Sequence, residues 1–384
     1  MSTPPQTPPP RRRASAAQRV LGPKPLALQL GLGAALSAEP PAAFLDGLKA
    51  YWRHPREAPG GQGTEVWRAG GTRLLDLAPD RVGPPVLVLP SLVNRARILD
   101  VTPGRSLLGH LAAGGLRPFL LDWGEPGPGE TTLRLADYAL GRGGAALRRV
   151  LLLTGRRPAL LGYCMGGLLA LALASARRRS VAGLALLATP WDFHAGPRPP
   201  GLDAMLAPAT LGVGTLGAAP PGLLQAFFAL LDPGGVPAKF AGFAGTPPGD
   251  PRAGTFVAVE DWLADGVPLA GPVAMEALWS WYVANLPARG LWAVGGHAVL
   301  PRRLRRLPTF LAIPRRDRIV PPASAEALAA LLPGAEVVRP RGGHVAMIVG
   351  ARARQELYEP LAAWLRRNAA IRGGLSSRAG PSLI

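Results

Sequence analysis

Short runs of consecutive apolar residues, separated by segments of helical spacing, recur through two stretches of this chain. In the first, residues 86–89 read as a buried strand, 106–112 as a helix closed by Gly114 and Gly115, and 117–122 as the next strand. Residues 132–153 carry a long helical pattern that the glycine-rich run 141–144 is expected to break. Residues 159–161 form a further strand, an Ala/Leu-rich helix follows, and 181–188 form another strand. The rhythm stops at Thr189 and Pro190. It resumes with a strand at 309–313, a helix at 323–332, a strand at 335–338 and a closing helix at 352–367. Strands apolar along their whole length and spaced by helices predict a mostly parallel sheet with helices on both faces.

The remaining segments follow other patterns. Residues 1–18 are rich in proline and arginine, bury too little apolar surface to fold, and are expected to be a disordered arm. Within an N-terminal segment, 19–83, residues 41–52 place Ala43, Phe44, Leu48 and Tyr51 at helical spacing, and 66–77 read as an edge hairpin around Gly70 and Gly71. Residues 191–300 carry many Gly and Pro turns, apolar clusters and the aromatics Trp262, Trp279, Trp281 and Tyr282. They are expected to form a mainly helical cap over the edge of a core made from 84–190 and 301–368. Residues 369–384 read as a flexible tail.

One stretch concentrates the chemistry. The strand at 159–161 runs into Gly162-Tyr163-Cys164-Met165-Gly166-Gly167 and then into a helix. A strand, a glycine-flanked nucleophile and a helix resemble the nucleophile elbow of the α/β-hydrolase fold, with cysteine in place of the usual serine. Side chains at the flanking glycines would crowd the converging strand and helix. In that fold the acid and then the histidine follow on later loops. Here Asp317 follows the strand at 309–313, and His344 follows the next strand, 27 residues further on. Cys164 is then the candidate nucleophile, His344 the base that takes its proton, and Asp317 the group that orients the imidazole. Asp192, after the strand at 181–188, is a second position from which an acid could reach the histidine. The backbone N–H of Met165 is the first expected oxyanion donor, and that of Leu92 the second, with Val93 next to it. His297 reads as a cap-hinge residue, and His54, His110 and His194 as surface or packing residues.

Composition narrows the possibilities further. A single cysteine excludes an intramolecular disulfide and suits a reducing compartment, hence an expected cytoplasmic location. Five scattered histidines leave no clustered metal site, and no cofactor is expected. The formal charge of +19 would point to nucleic acid, but only Lys24, Lys49 and Lys239 are lysines. Arginine-heavy usage beside abundant Ala, Leu, Gly and Pro reads as coding bias, and the arginines are not interleaved with aromatics, so no nucleic-acid partner is expected. No apolar run is long enough for a transmembrane helix. Arg11, Arg12 and Arg13 before the apolar run 25–38 look superficially like an export signal. Gln29, Pro23, Pro25 and several glycines argue against that reading.

Several segments together resemble the poly(3-hydroxyalkanoate) synthases. These are Asn94 with Ile98-Leu99-Asp100 and Ser106-Leu107, the Gly-x-Cys-x-Gly-Gly box at 162–167, Asp317-Arg318-Ile319-Val320-Pro321, and Gly343-His344-Val345-Ala346. The segment 187–193, ending in Asp192-Phe193, also echoes the family. The resemblance covers about residues 84–195 and 300–350 and leaves most of the cap unmatched. It implies that Cys164 accepts an acyl group from 3-hydroxyacyl-CoA and carries the growing polyester as a thioester. It also implies a location at the polyester granule surface, with a second copy or a partner subunit. The alternative is a hydrolase of the same fold. Dienelactone hydrolases share a similar cysteine box but are shorter, and intracellular depolymerases or thioesterases could use the same three residues.

Overall fold

A computed structural model describes residues 41–56, 63–196, 202–231, 235–247 and 249–371. The expected arm at 1–18, the export-like run at 25–38 and residues 372–384 of the expected tail lie outside the described residues, whereas 369–371 continue the closing helix.

Eight strands form one sheet. They are β1 (Thr64–Ala69), β2 (Thr72–Asp76), β3 (Pro85–Leu89), β4 (Arg117–Asp122), β5 (Ala159–Tyr163), β6 (Gly183–Leu187), β7 (Thr309–Ala312) and β8 (Glu336–Val338). Their spatial order is β1-β2-β4-β3-β5-β6-β7-β8. From β4 to β8 every neighbouring pair is parallel, while β1 and β2 form an antiparallel hairpin on the β4 edge. The central strands β3, β5, β6 and β7 are buried at every position, as their unbroken apolar runs require. Two apolar layers flank them. One gathers Leu87, Leu160, Leu168 and Leu311, and the other Val88, Leu161, Phe310 and Trp364.

Helices α2 (Leu107–Ala113), α3 (Gly143–Thr154) and α4 (Met165–Arg177) connect the first strands. Ser106 caps α2 by accepting a hydrogen bond from the Gly109 N–H. The glycine-rich run at 141–144 does not break its helix, contrary to the sequence expectation. A widened turn over Asp137–Arg142 continues directly into α3. Gly143 and Gly144 are both buried in this helix, where a Cβ at Gly143 would stand a tight 3.3 Å from the Tyr138 carbonyl and in ordinary contact with Leu173 at 3.6 Å. Arg142 anchors the same turn, pairing with Glu130 and donating to Thr72 Oγ1 at 2.8 Å.

Between β6 and β7 stand five helices: α5 (Leu202–Leu216), α6 (Pro221–Leu231), α7 (Gly235–Ala244), α8 (Pro251–Ala264) and α9 (Gly271–Ala277). The widened turn Leu278–Val283 extends α9. Helices α10 (Pro322–Ala330) and α11 (Glu359–Ile371) complete the core after β7 and β8. The N-terminal helix α1 (Pro41–Arg53) packs on the cap and not on the sheet. Its stripe of Phe44, Leu48 and Tyr51 meets Phe240, Phe243 and Val257, with Phe44 and Phe240 edge to face at 5.9 Å. The cap is tied to the core at the loop after β3. There the Trp262 indole donates to the Arg95 carbonyl at 2.7 Å, and Arg95 pairs with Asp265 at 2.9 Å.

Candidate active site

Strand β5 ends at Tyr163, and helix α4 begins at Met165. Cys164 between them takes φ 55° and ψ −126°, a left-handed backbone that a non-glycine residue adopts only at some cost. The surrounding glycines make the turn possible by leaving room for backbone. A Cβ at Gly162 would lie 2.5 Å from the Gly167 Cα, and one at Gly166 would lie 2.1 Å from the Leu89 carbonyl oxygen. Neither neighbour is a flexible side chain that could move aside. Gly166→Ala is therefore expected to cost at least about 3 kcal/mol, the upper range for overpacking. Thermal unfolding of the purified variant checks this, and an unchanged midpoint would contradict it.

His344 and Asp317 follow β8 and β7, and the topology sets these loops beside the elbow. His344 Nδ1 lies 2.7 Å from Asp317 Oδ2. The other carboxylate oxygen, Oδ1, accepts the backbone N–H groups of Ile319 at 2.9 Å and Val320 at 2.8 Å. Asp317 is buried, so these bonds replace the water it has lost. With Nδ1–H donating to the carboxylate, Nε2 is left as the acceptor. Burial pushes the His344 pKa down, but the Asp317 carboxylate and the Cys164 sulfur outweigh it and hold the imidazole well above its ordinary value. Tyr163 backs the imidazole. Its ring centre is 5.2 Å from that of His344, and its hydroxyl donates to the His344 carbonyl at 3.3 Å.

Asp192 is engaged elsewhere. Its Oδ1 accepts the Asn285 side-chain amide at 2.8 Å and the His194 N–H at 2.9 Å, which ties the end of β6 to the cap. His194 Nε2 contacts the Tyr282 carbonyl at 2.9 Å. His110 packs on Tyr358, and His54 contacts the Pro55 carbonyl. His297 is exposed on the small hairpin of Ala293–Val294 and His297–Ala298.

A cavity of about 300 Å³ opens over Cys164 and Met165. Its walls come from Ser91 and Val93 on the core side and from Leu224, Phe227, Trp281 and Tyr282 in the cap. Leu92 is buried behind that wall. Tyr282 carries a raised phenol pKa, from burial first and then from the nearby Cys164. Its ring meets Phe193 and Phe227 edge to face, both at 4.9 Å. In the sequence this wall shows only as the aromatic-rich segment of Trp279, Trp281 and Tyr282, without a partner for it. Nothing local in the sequence around Tyr163 points to its contact with residue 344, which is a long-range one. Among the described residues no group of three His, Cys, Asp or Glu side chains could hold a metal ion.

Comparison with known proteins agrees with this architecture. Residues 84–351 match the family described as alpha/beta hydrolase fold. The poly(3-hydroxyalkanoate) polymerase subunit PhaC of Haloferax mediterranei is 28% identical over 73% of this chain and 58% of its own length. The chain therefore spans just over half of that relative. The protein of the same name from Synechocystis is 29% identical, over 73% of this chain and 77% of its own length. Among solved structures, a complex of DcsB with its substrate analogue superposes with a TM-score of 0.52. That match has 16% identity over 80% of this chain and 99% of the other, and it speaks to the fold alone.

Proposed function

Because this chain belongs to the alpha/beta hydrolase fold family and its relatives are poly(3-hydroxyalkanoate) polymerase subunits, we propose that it is an acyltransferase that polymerises 3-hydroxyacyl groups delivered as coenzyme A thioesters. The observation that carries this reading is a lone thiol at a strained elbow, beside a His344–Asp317 pair at 2.7 Å, under a largely apolar cavity.

In the first half-reaction His344 Nε2 takes the proton from Cys164 Sγ, and the thiolate attacks the thioester carbonyl. The oxyanion that forms is held by the backbone N–H groups of Met165 and Leu92. Collapse expels the coenzyme A thiolate, which leaves with the proton from His344. The acyl group has passed between two sulfurs, so little energy is gained or lost. In the second half-reaction the 3-hydroxyl of an acceptor gives its proton to His344 and attacks the Cys164 thioester. An ester C–O bond forms, the C–S bond breaks, and the Cys164 thiolate recovers the proton. Asp317 keeps Nδ1 protonated and stabilises the imidazolium in both steps. No cofactor enters this scheme. The apolar walls from Leu224, Phe227 and Trp281 disfavour water as the competing acceptor.

We place the protein in the cytoplasm at the polyester surface, working with a second copy or a partner subunit, in keeping with the word "subunit" in its relatives' names. Among the described residues no helix is long and apolar enough to cross a membrane. The test is product identity. Full-length protein given 3-hydroxybutyryl-CoA is expected to release coenzyme A and deposit insoluble polyester. Release of coenzyme A with free hydroxyacid as the only acyl product would instead establish a hydrolase.

A further inference from the structure

The end of the sheet away from Cys164 carries a second feature. Cys164, Asp317 and His344 follow the C-terminal ends of β5, β7 and β8. At the opposite ends of β6 and β7 the chain brings together Arg178, Arg179, Arg302, Arg303, Arg305 and Arg306. All six are exposed, and among the described residues none of their guanidinium groups makes an ion pair or hydrogen bond. They come from two segments more than a hundred residues apart in sequence, so the fold and not a local run assembles them. Helix α4 separates them from the thiol by its own length, about 20 Å for 13 residues.

Three crevices meet at Arg178. One of about 500 Å³ is lined by Arg178, Arg302, Arg303, Arg305 and Arg306 alone. A second, of about 420 Å³, adds Arg157 and Arg179, and a third, of about 450 Å³, adds Ser175 and His297. No acidic residue lines any of them. The negative end of the α4 dipole accounts for arginines at 177–179. It does not account for Arg302, Arg303, Arg305 and Arg306, which sit on and just after the short turn Pro301–Leu304. Left alone, these charges repel one another.

We propose that this face binds a linear chain of phosphates, as found in inorganic polyphosphate or in a nucleoside triphosphate. Guanidinium forks match phosphate oxygens two at a time, and crevices lined by several of them suit consecutive phosphate groups. No Phe, Tyr or Trp lines the crevices, so there is no surface on which the bases of a single-stranded nucleic acid could stack.

The experiment measures anisotropy of fluorescently labelled polyphosphate titrated with the full chain at physiological salt. Saturable binding is expected in the wild type. The triple variant Arg302→Glu, Arg303→Glu, Arg306→Glu is expected to weaken it by at least about a hundredfold, since each lost charge-assisted contact is worth roughly tenfold. A control with the same charge change, Arg53→Glu, Arg81→Glu, Arg352→Glu, uses exposed arginines outside the patch. It should weaken binding by less than about threefold, because screened charges beyond a Debye length contribute little. Unlabelled nucleoside triphosphate and unlabelled polyphosphate compete in separate arms, and either one displacing the probe supports the site and names its source. Equal losses in the two triple variants, or no saturable binding to the wild type, would overturn the proposal. An Arg→Gln set at the same three positions gives the same reading should charge reversal impair folding.

Discussion

Cys164→Ala is expected to abolish polyester formation and to lower coenzyme A release by about 10⁵- to 10⁶-fold, the loss seen when a covalent nucleophile is removed from such a group of residues. The expectation rests on there being one thiol in the chain and on its position. Without Sγ no acyl-enzyme can form, and the remaining N–H donors could only polarise a bound carbonyl. Cys164→Ser separates the need for a nucleophile from the need for sulfur. An oxyester intermediate is harder for an acceptor hydroxyl to open, and an alkoxide leaves less readily than a thiolate. The serine variant should therefore retain trace coenzyme A release with no detectable polymer. The assay follows free coenzyme A and, in parallel, precipitated polyester. Full activity in the serine variant would show that sulfur is not required, and activity in the alanine variant would remove Cys164 from the mechanism.

Asp317→Asn is expected to lower turnover by about 10³- to 10⁴-fold while the protein stays folded. The asparagine preserves the shape, and its oxygen can still accept the Ile319 and Val320 N–H groups at Oδ1's position. Its amide then meets His344 Nδ1 as a donor, which forces the imidazole into the wrong tautomer with Nε2 protonated. The histidine also loses the carboxylate that holds its pKa up, so an imidazolium formed during turnover is less stable. Asp192→Asn should cost less than about tenfold, the range of a neutral hydrogen-bond adjustment. Asp192 contacts Asn285 and the His194 N–H and makes no contact with His344. Steady-state rates of the two variants, with circular dichroism to verify folding, decide between them. A larger loss at Asp192 would reverse the assignment of the acid.

Much of the core was legible because its signals are local. An unbroken apolar run such as Leu160-Leu161 must be buried on both faces, and a helix on either side must cover it. The glycines at 162, 166 and 167 announce a backbone crossing that allows no side chain. The order of Cys164, Asp317 and His344 follows from which strands end where. The helix expected over 41–52 and the hairpin of β1 and β2 were visible for the same reason, since periodicity and turn residues act over a few positions.

What the sequence by itself determined, then, was the succession of strands and helices and the set of reactive side chains at strand ends. Tertiary structure alone decided which of those side chains meet. It put Asp317 rather than Asp192 against His344, because each carboxylate bonds to whatever N–H groups its loop brings within 3 Å. It continued the helix through Gly143 and Gly144, whose burial in the core outweighs glycine's poor helix propensity. It seated the Pro41–Arg53 helix on the cap, closed an aromatic wall over the thiol, and gathered arginines from two distant segments at the far end of the strands. Periodicity states that a face is apolar or charged. The partner of that face depends on contacts between residues far apart in the chain, and only the folded topology supplies them.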